Sequence, residues 1–190
     1  MQNNTAVDAG NVCQSCGLCC SGALFSYVAV DRQEVDKCKS LGFEIEVQKR
    51  NKHVFKIPCT RLSNNRCSVY NSRPRKCIGY HCSLAKNVIK GATTYDDAIE
   101  SVQKAHEYIK WLTENAKVEN EEGRKKLNIR DHLSHVLKKF TTPEQIKLIN
   151  KEEKHYINEA FEYLKLIDNE FRTTSLLTKY SMLIQSINYA

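Results

Sequence analysis

The sequence predicts an α+β fold in two parts: a small cysteine-rich module with short strands and one short helix over residues 1–91, then an α-helical, bundle-like half over residues 92–190. Three observations carry this reading. All nine cysteines lie in the first part, none beyond Cys82. Charge divides at the same place: fourteen Lys and Arg stand against six Asp and Glu in residues 1–91, and fifteen against sixteen thereafter. The whole basic excess therefore accompanies the cysteines. Hydrophobic spacing changes too, from short apolar runs bounded by turn residues to long stretches of helical period.

In the first part, Phe25 to Val30 is apolar, aromatic and β-branched, and reads as a strand. Asp31 begins a short helix, with Glu34 three residues on as its capping-box partner and Gly42 as the stop after Leu41. Val35, Cys38 and Leu41 share its apolar face, so Cys38 reads as core. Phe43 to Val47 and Val54 to Ile57 read as an antiparallel hairpin joined by the basic, polar Gln48 to Lys52. Ser63-Asn64-Asn65 is turn chemistry that brings Cys59 and Cys67 toward each other across a second hairpin.

The second part is helical. Thr94 and Asp97 start a helix whose Ile99, Val102, His106, Ile109 and Thr113 trace one stripe, with Trp111 and Leu112 near its end. Glu119 to Lys126 is a charged connector. Ile129, Leu133, Val136, Leu137 and Phe140 mark the next helix. Thr142-Pro143-Glu144-Gln145 then opens a long one, which Ile146, Ile149, Ile157, Phe161, Leu164, Ile167 and Phe171 carry to about Arg172. Thr173-Thr174-Ser175 breaks the chain before a last helix through Leu176, Leu177, Tyr180, Leu183, Ile184 and Ile187.

Met1 to Asn11 has neither the basic start nor the apolar run of a signal peptide, and nowhere do about 18 apolar residues follow one another. A cytoplasmic protein without a membrane span is expected. Structural disulfides do not persist in that reducing setting, and nine is an odd number, so metal binding or thiol chemistry is the leading explanation for the cysteines. The first block, Cys13-Gln14-Ser15-Cys16-Gly17-Leu18-Cys19-Cys20, spaces thiols so that successive ones converge on one centre, with Gly17 permitting a tight loop. Adjacent cysteines point apart and seldom clasp one ion together, so at least one further ligand is expected from elsewhere in the chain. The second block supplies Cys59, Cys67, Cys77 and Cys82. Eight thiols suit two four-cysteine sites or one cluster with thiols to spare. Thiolate ligation concentrates negative charge, and Arg61, Arg66, Arg73, Arg75 and Lys76 are spaced to offset it. His81 and His53 read as structural histidines with ligation as the alternative.

These residues resemble the CxxCxxCC, or YkgJ-type, cysteine-cluster family, whose domain is described as zinc- or iron-chelating. The resemblance rests on Cys13, Cys16, Gly17, Cys19 and Cys20, then on Pro58-Cys59, Leu62, Cys67, Tyr70, Arg73-Pro74, Cys77 and Cys82. It covers roughly residues 13–82 and implies metal or iron-sulfur binding. Where the family often ends its motif on Pro-Cys, this chain has Tyr80-His81-Cys82.

The expected function is that of a metal-binding protein holding an iron-sulfur cluster on Cys13, Cys16, Cys19, Cys20, Cys59, Cys67, Cys77 and Cys82, with a redox, metal-handling or accessory role. A zinc-stapled interaction module without catalysis is the alternative, and a cluster-dependent oxidoreductase or group-transfer enzyme the third reading. A protein or small-molecule partner is expected. Nucleic acid, through Arg73, Arg75 and Lys76 beside Tyr70 and Tyr80, ranks behind it, because neutralising thiolates accounts for the same charges.

Overall fold

Three short strands make the sheet of the first unit, and β-branched and aromatic residues cluster in two of them, Tyr27–Val30 and Lys52–Lys56. Tyr27–Val30 (β1) and Glu46–Gln48 (β2) both pair antiparallel with Lys52–Lys56 (β3), giving the order β1-β3-β2 in this computed structural model. Residues 5–117, 127–140 and 142–172 are described. The fold is α+β, with a cysteine-rich N-terminal part and helices after it. The chain divides into two units, Met1–Ile99 and Glu100–Ala190.

The sheet core gathers Val30, Phe43, Phe55 and Ile57 around Cys38, with Val35 and Leu41 packed against them. Cys38 is fully buried there, as its helical face implied. A second hairpin, Leu62–Ser63 (β4) with Arg66–Cys67 (β5), turns through Asn64 and Asn65 at φ 48° and 60°. Two left-handed central residues match the twist of a two-residue hairpin, and asparagine tolerates them better than most side chains.

The first unit holds more helix than the one short helix expected. Thr5–Cys16 (α1) and Leu18–Ser21 (α2) replace the expected loop through the first cysteine block. Ala9, Val12 and Cys16 are buried at helical spacing, a stripe that escapes notice unless cysteine is counted as apolar. The expected helix after Asp31 forms as a 3₁₀ turn, Arg32–Glu34, leading into Val35–Ser40 (α3). No capping box closes it. Asp31 makes no side-chain cap bond, and Glu34 is buried and turned elsewhere. Its carboxylate accepts from the Arg75 amide at 3.2 and 3.3 Å, at the start of Arg75–Gly79 (α4). That amide is an orphan donor which Pro74 has no side chain to satisfy, so a buried carboxylate gains more there than in an exposed box. Ser83–Ile89 (α5) follows, packing Leu84, Ala85 and Val88 inward, and lies against α1.

Tyr95–Glu114 (α6) starts as expected, with Thr94 accepting from the Asp97 amide at 3.1 Å. Its buried stripe runs through Ala98, Val102, Ala105 and Leu112, whereas Ile99, His106 and Thr113 are half-buried. The stripe is rotated from the expected one because alanines carry it, and they add little to an apolar pattern. In the second unit, Ile129–Leu137 (α7) buries Ile129, Leu133 and Leu137. Thr142 and Gln145 form their capping box at the head of Pro143–Lys147 (α8). The long helix expected from there to Arg172 is interrupted: Asn150 caps a separate helix, Lys151–Leu166 (α9), with Glu153 completing a second box. A capping residue with its partner three positions on satisfies two backbone donors that have no partner at a helix start, and a new helix begins there. Ile167–Phe171 then forms one wide π-helical turn. The connector Glu119 to Lys126 and the last helix, Leu176 to Ile187, lie outside the described residues.

Asn150→Ala is expected to cost about 1 kcal/mol of stability in the second unit. Trp111, the one tryptophan in the chain, stacks on Tyr156 of α9 with ring centroids 6.0 Å apart. Its fluorescence in a denaturant titration reads the effect directly, and an unchanged midpoint would remove the cap from the account.

Candidate metal centre

All eight thiols expected as ligands line one cavity of about 290 Å³ in the first unit: Cys13, Cys16, Cys19, Cys20, Cys59, Cys67, Cys77 and Cys82. Cys38 is not among its walls. Neither histidine reaches it: His53 is a β3 residue paired with Val30 and Val47, and His81 is exposed between α4 and α5. The remaining walls are largely apolar and aromatic, with Phe25, Phe43, Phe55, Tyr70 and Tyr80 among them.

Helical geometry explains how the first block faces the cavity. Cys13 and Cys16 sit three residues apart on α1 and so share a face. Gly17 then adopts a left-handed conformation, φ 63° and ψ −2°, and α2 departs in a new direction with Cys19 and Cys20. An added Cβ on Gly17 would lie 2.6 Å from the Asn65 carbonyl oxygen, so the break between α1 and α2 is pressed against the β4–β5 turn. The second block arrives from separate elements. Cys59 follows β3, and its amide donates to the Cys20 carbonyl at 2.8 Å. Cys67 ends β5, paired with Leu62. Cys77 lies in α4. Cys82 caps α5, its sulfur accepting from the Ala85 amide at 3.4 Å.

Electrostatics separate the thiols into two neighbourhoods. Cys13 is pushed up to about 11 by burial and then by Cys82, and Cys16 to about 12 by burial, with Cys82 and Cys13 adding to the rise. Cys19 is raised by burial and by Cys16, Cys82 and Cys13, with Cys77 the weakest of its neighbours. Cys82 is raised by burial, which its backbone donors partly offset. Cys77 is pushed up to about 12 by burial, by Cys59 and by Cys67. Cys20 and Cys59 act on each other: Cys59 and burial raise Cys20, while Cys20 lowers Cys59, whose sulfur also accepts from the Arg61 amide at 3.4 Å.

The five basic residues divide by role. Arg73 and Lys76 line the cavity, and Arg73 lowers both Cys13 and Cys77. Arg73 is held by stacking on the Tyr70 ring at 3.6 Å, while the Tyr70 hydroxyl donates to the Gly10 carbonyl at 3.3 Å. Arg61 lowers Cys59. Arg75 approaches Glu34 at 3.8 Å, Lys76 approaches Asp31 at 3.8 Å, and Arg66 is exposed on β5. Two contributors were not legible beforehand. Glu34 was masked by its resemblance to a local capping partner, although it anchors the helix that carries Cys77. Asn65 has the sequence signature of a turn residue and nothing more, yet its carbonyl meets Gly17.

As they stand, no three His, Cys, Asp or Glu side chains among the described residues are arranged to grip an ion. The thiols line the walls of the cavity instead. Buried neutral thiols have no mutual attraction that would draw them to a point, and the charge of a cation supplies it. The donor chemistry fits a soft metal or an iron-sulfur centre, since among the described residues neither carboxylate nor imidazole joins the sulfurs in the cavity wall.

Residues 12–114, more than half of the chain, match the family CxxCxxCC, described as a putative zinc- or iron-chelating domain. The chain belongs to the CxxCxxCC family. The matched stretch of this CxxCxxCC protein contains every thiol of the cavity and ends where α6 ends, and metal chelation is the function the family carries. No curated protein and no solved structure matches the chain. Among the described residues no helix is long and apolar enough to cross a membrane.

Proposed function

We propose that this CxxCxxCC protein holds iron-sulfur on its cavity thiols and serves as a redox or accessory protein. One observation carries the reading: eight thiols face a single apolar cavity whose only charged side chains among the described residues are the cationic Arg73 and Lys76. Bound there, the group supplies one-electron transfer at a potential set by charge, solvent access and hydrogen bonds to sulfur. The residues of the chain set those three levers. Arg73 and Lys76 offset thiolate charge. Phe25, Tyr70 and Tyr80 exclude water. The Arg61 and Ala85 amides donate to Cys59 and Cys82. The cations singled out for nucleic acid have intramolecular partners in Tyr70, Glu34 and Asp31, which supports a protein or small-molecule partner over nucleic acid.

Zinc is the second reading, favoured by the sheet itself. Strands of three to five residues bury little, and structural zinc contributes folding energy directly in such small modules. Purification without oxygen, followed by metal and acid-labile sulfide analysis, separates the two. Brown protein with iron and sulfide is the expected result, and colourless protein with stoichiometric zinc would overturn it.

A further inference from the structure

We infer that the eight thiols form two separate four-thiolate centres, one of Cys13, Cys16, Cys19 and Cys82 and the other of Cys20, Cys59, Cys67 and Cys77, which meet at the Cys19–Cys20 peptide. This rests on the metal-binding reading above and adds to it the number of sites and their membership.

The backbone makes the division. Neighbouring residues on a helix are rotated by about 100°, so Cys19 and Cys20 of α2 cannot present their sulfurs in the same direction. Cys19 turns toward α1 and α5. There Cys13 and Cys16 share one face of α1, and Cys82 caps α5, the helix packed against α1. Cys20 turns toward the sheet. There the Cys59 amide donates to the Cys20 carbonyl at 2.8 Å, and Cys20 packs against the buried cluster that holds Cys59. Cys67 sits on the hairpin that begins just after Cys59, where the Leu62 amide donates back to the Cys59 carbonyl at 3.0 Å. Cys77 completes the set: like Cys20 it packs against the buried cluster that holds Cys59, and Cys59 and Cys67 are the thiols that raise it most.

The neighbours of each sulfur repeat this partition. Cys13 and Cys16 interact with each other or with Cys82, and Cys19 interacts chiefly with Cys16, Cys82 and Cys13. Cys20 interacts chiefly with Cys59. The contacts between the sets run through Cys19, to its neighbour Cys20 and more weakly to Cys77. Each set has a sulfur that accepts a backbone amide, Cys82 from Ala85 and Cys59 from Arg61. Arg73 acts on a member of each, Cys13 and Cys77, and so stands between them. The same division is known chemistry: in two-cluster ferredoxins the fourth cysteine of the run serves the other cluster. Here the fourth, Cys20, is moved up against the third, and the rotation within α2 does what a longer spacer does there.

The test uses the unaltered protein, purified without oxygen with its own metal and stripped by graded amounts of EDTA. Free thiols are then alkylated, and intact mass with peptide mapping identifies those still protected. Of the eight cavity thiols, partly stripped molecules are expected to keep four protected, on one named set or on the other; Cys38, buried in the sheet core, is shielded with or without metal and is left out of the count. Eight thiols released in one step, or protected foursomes that mix the sets, would overturn the partition while leaving metal binding standing. Protein that carries no metal at all would sink the metal-binding reading and this inference with it. Cys19→Ser and Cys20→Ser give a second readout, because they disturb the same turn of α2. Each is expected to lose about half of the metal, and peptide mapping should find the surviving protection on the opposite set. Identical loss of protection from both sets in the two variants would count against separate centres.

Discussion

Raising the pH above about 9 is expected to destabilise the metal-free protein, whereas lowering the pH is expected to destabilise the loaded one. The thiols of Cys13, Cys16 and Cys77 are pushed from an ordinary 9.0 up to about 11, 12 and 12, in each case first by burial. Between 9 and those values the folded chain keeps protons that the unfolded chain has released, so stability falls as pH rises. Each thiol contributes a slope of about 1.4 kcal/mol per pH unit across that window. Three together approach the net stability of a typical domain, about 5–15 kcal/mol. Cys59 is lowered and works in the opposite sense, but its gain is complete once the unfolded thiol also ionises near 9.0. Metal reverses the sign, because it holds the sulfurs as thiolates and protons then compete with it. Unfolding midpoints from pH 6 to about 10.5, under reducing conditions with and without metal, should therefore slope in opposite directions. The second unit has no cysteine and supplies the control through Trp111 fluorescence. Parallel slopes with and without metal would separate the thiols from the stability of the fold.

Features set by neighbours in sequence were legible, and those set by distant partners were not. β1 and β3 were visible because their apolar, β-branched runs end at polar residues. The Asn64-Asn65 turn and the Thr142-Gln145 box were visible because each is complete within four residues. The Asn150-Glu153 box has the same form, but it lay inside a continuing apolar stripe and was read through. Glu34 shows the opposite case. Its spacing from Asp31 is that of a capping box, and only the fold reveals that the Arg75 amide needs its carboxylate more.

The thiols follow the same rule. That eight of them belong near one another was legible from two compact blocks, and that Cys19 and Cys20 diverge was legible from their adjacency. Their grouping was not, because Cys82 reaches the first block through the packing of α5 on α1, and Cys59 joins Cys20 through a long-range backbone hydrogen bond. No local pattern encodes either contact. The basic residues were likewise countable, but only the stacking of Arg73 on Tyr70 and its place in the cavity wall set it apart from Arg66.

Gly17→Ala is expected to be far more damaging than the same change at Gly91 or Gly79. Two costs coincide there. The left-handed conformation is strained for alanine by about 1–3 kcal/mol, and the new Cβ would stand 2.6 Å from the Asn65 carbonyl oxygen and 3.1 Å from its carbon. Those are backbone atoms of a two-residue turn whose Asn64 and Asn65 are themselves left-handed, so the turn has little freedom to retreat. Relief must come from moving α1 against α2, which separates Cys16 from Cys19, or from moving the hairpin that carries Cys67. Loss of metal should therefore accompany a loss of stability greater than about 2 kcal/mol. Gly91→Ala isolates the first cost, because Gly91 is also left-handed, at φ 70°, but its added Cβ meets nothing within 4 Å. Gly79→Ala should cost less still, being neither left-handed nor crowded. Denaturant midpoints and metal content for the three variants then order as Gly17, Gly91 and Gly79 from worst to mildest. If Gly17→Ala proved no worse than Gly91→Ala and kept its metal, the approach of Asn65 would have no energetic weight, and the two cysteine blocks would not be joined at that contact.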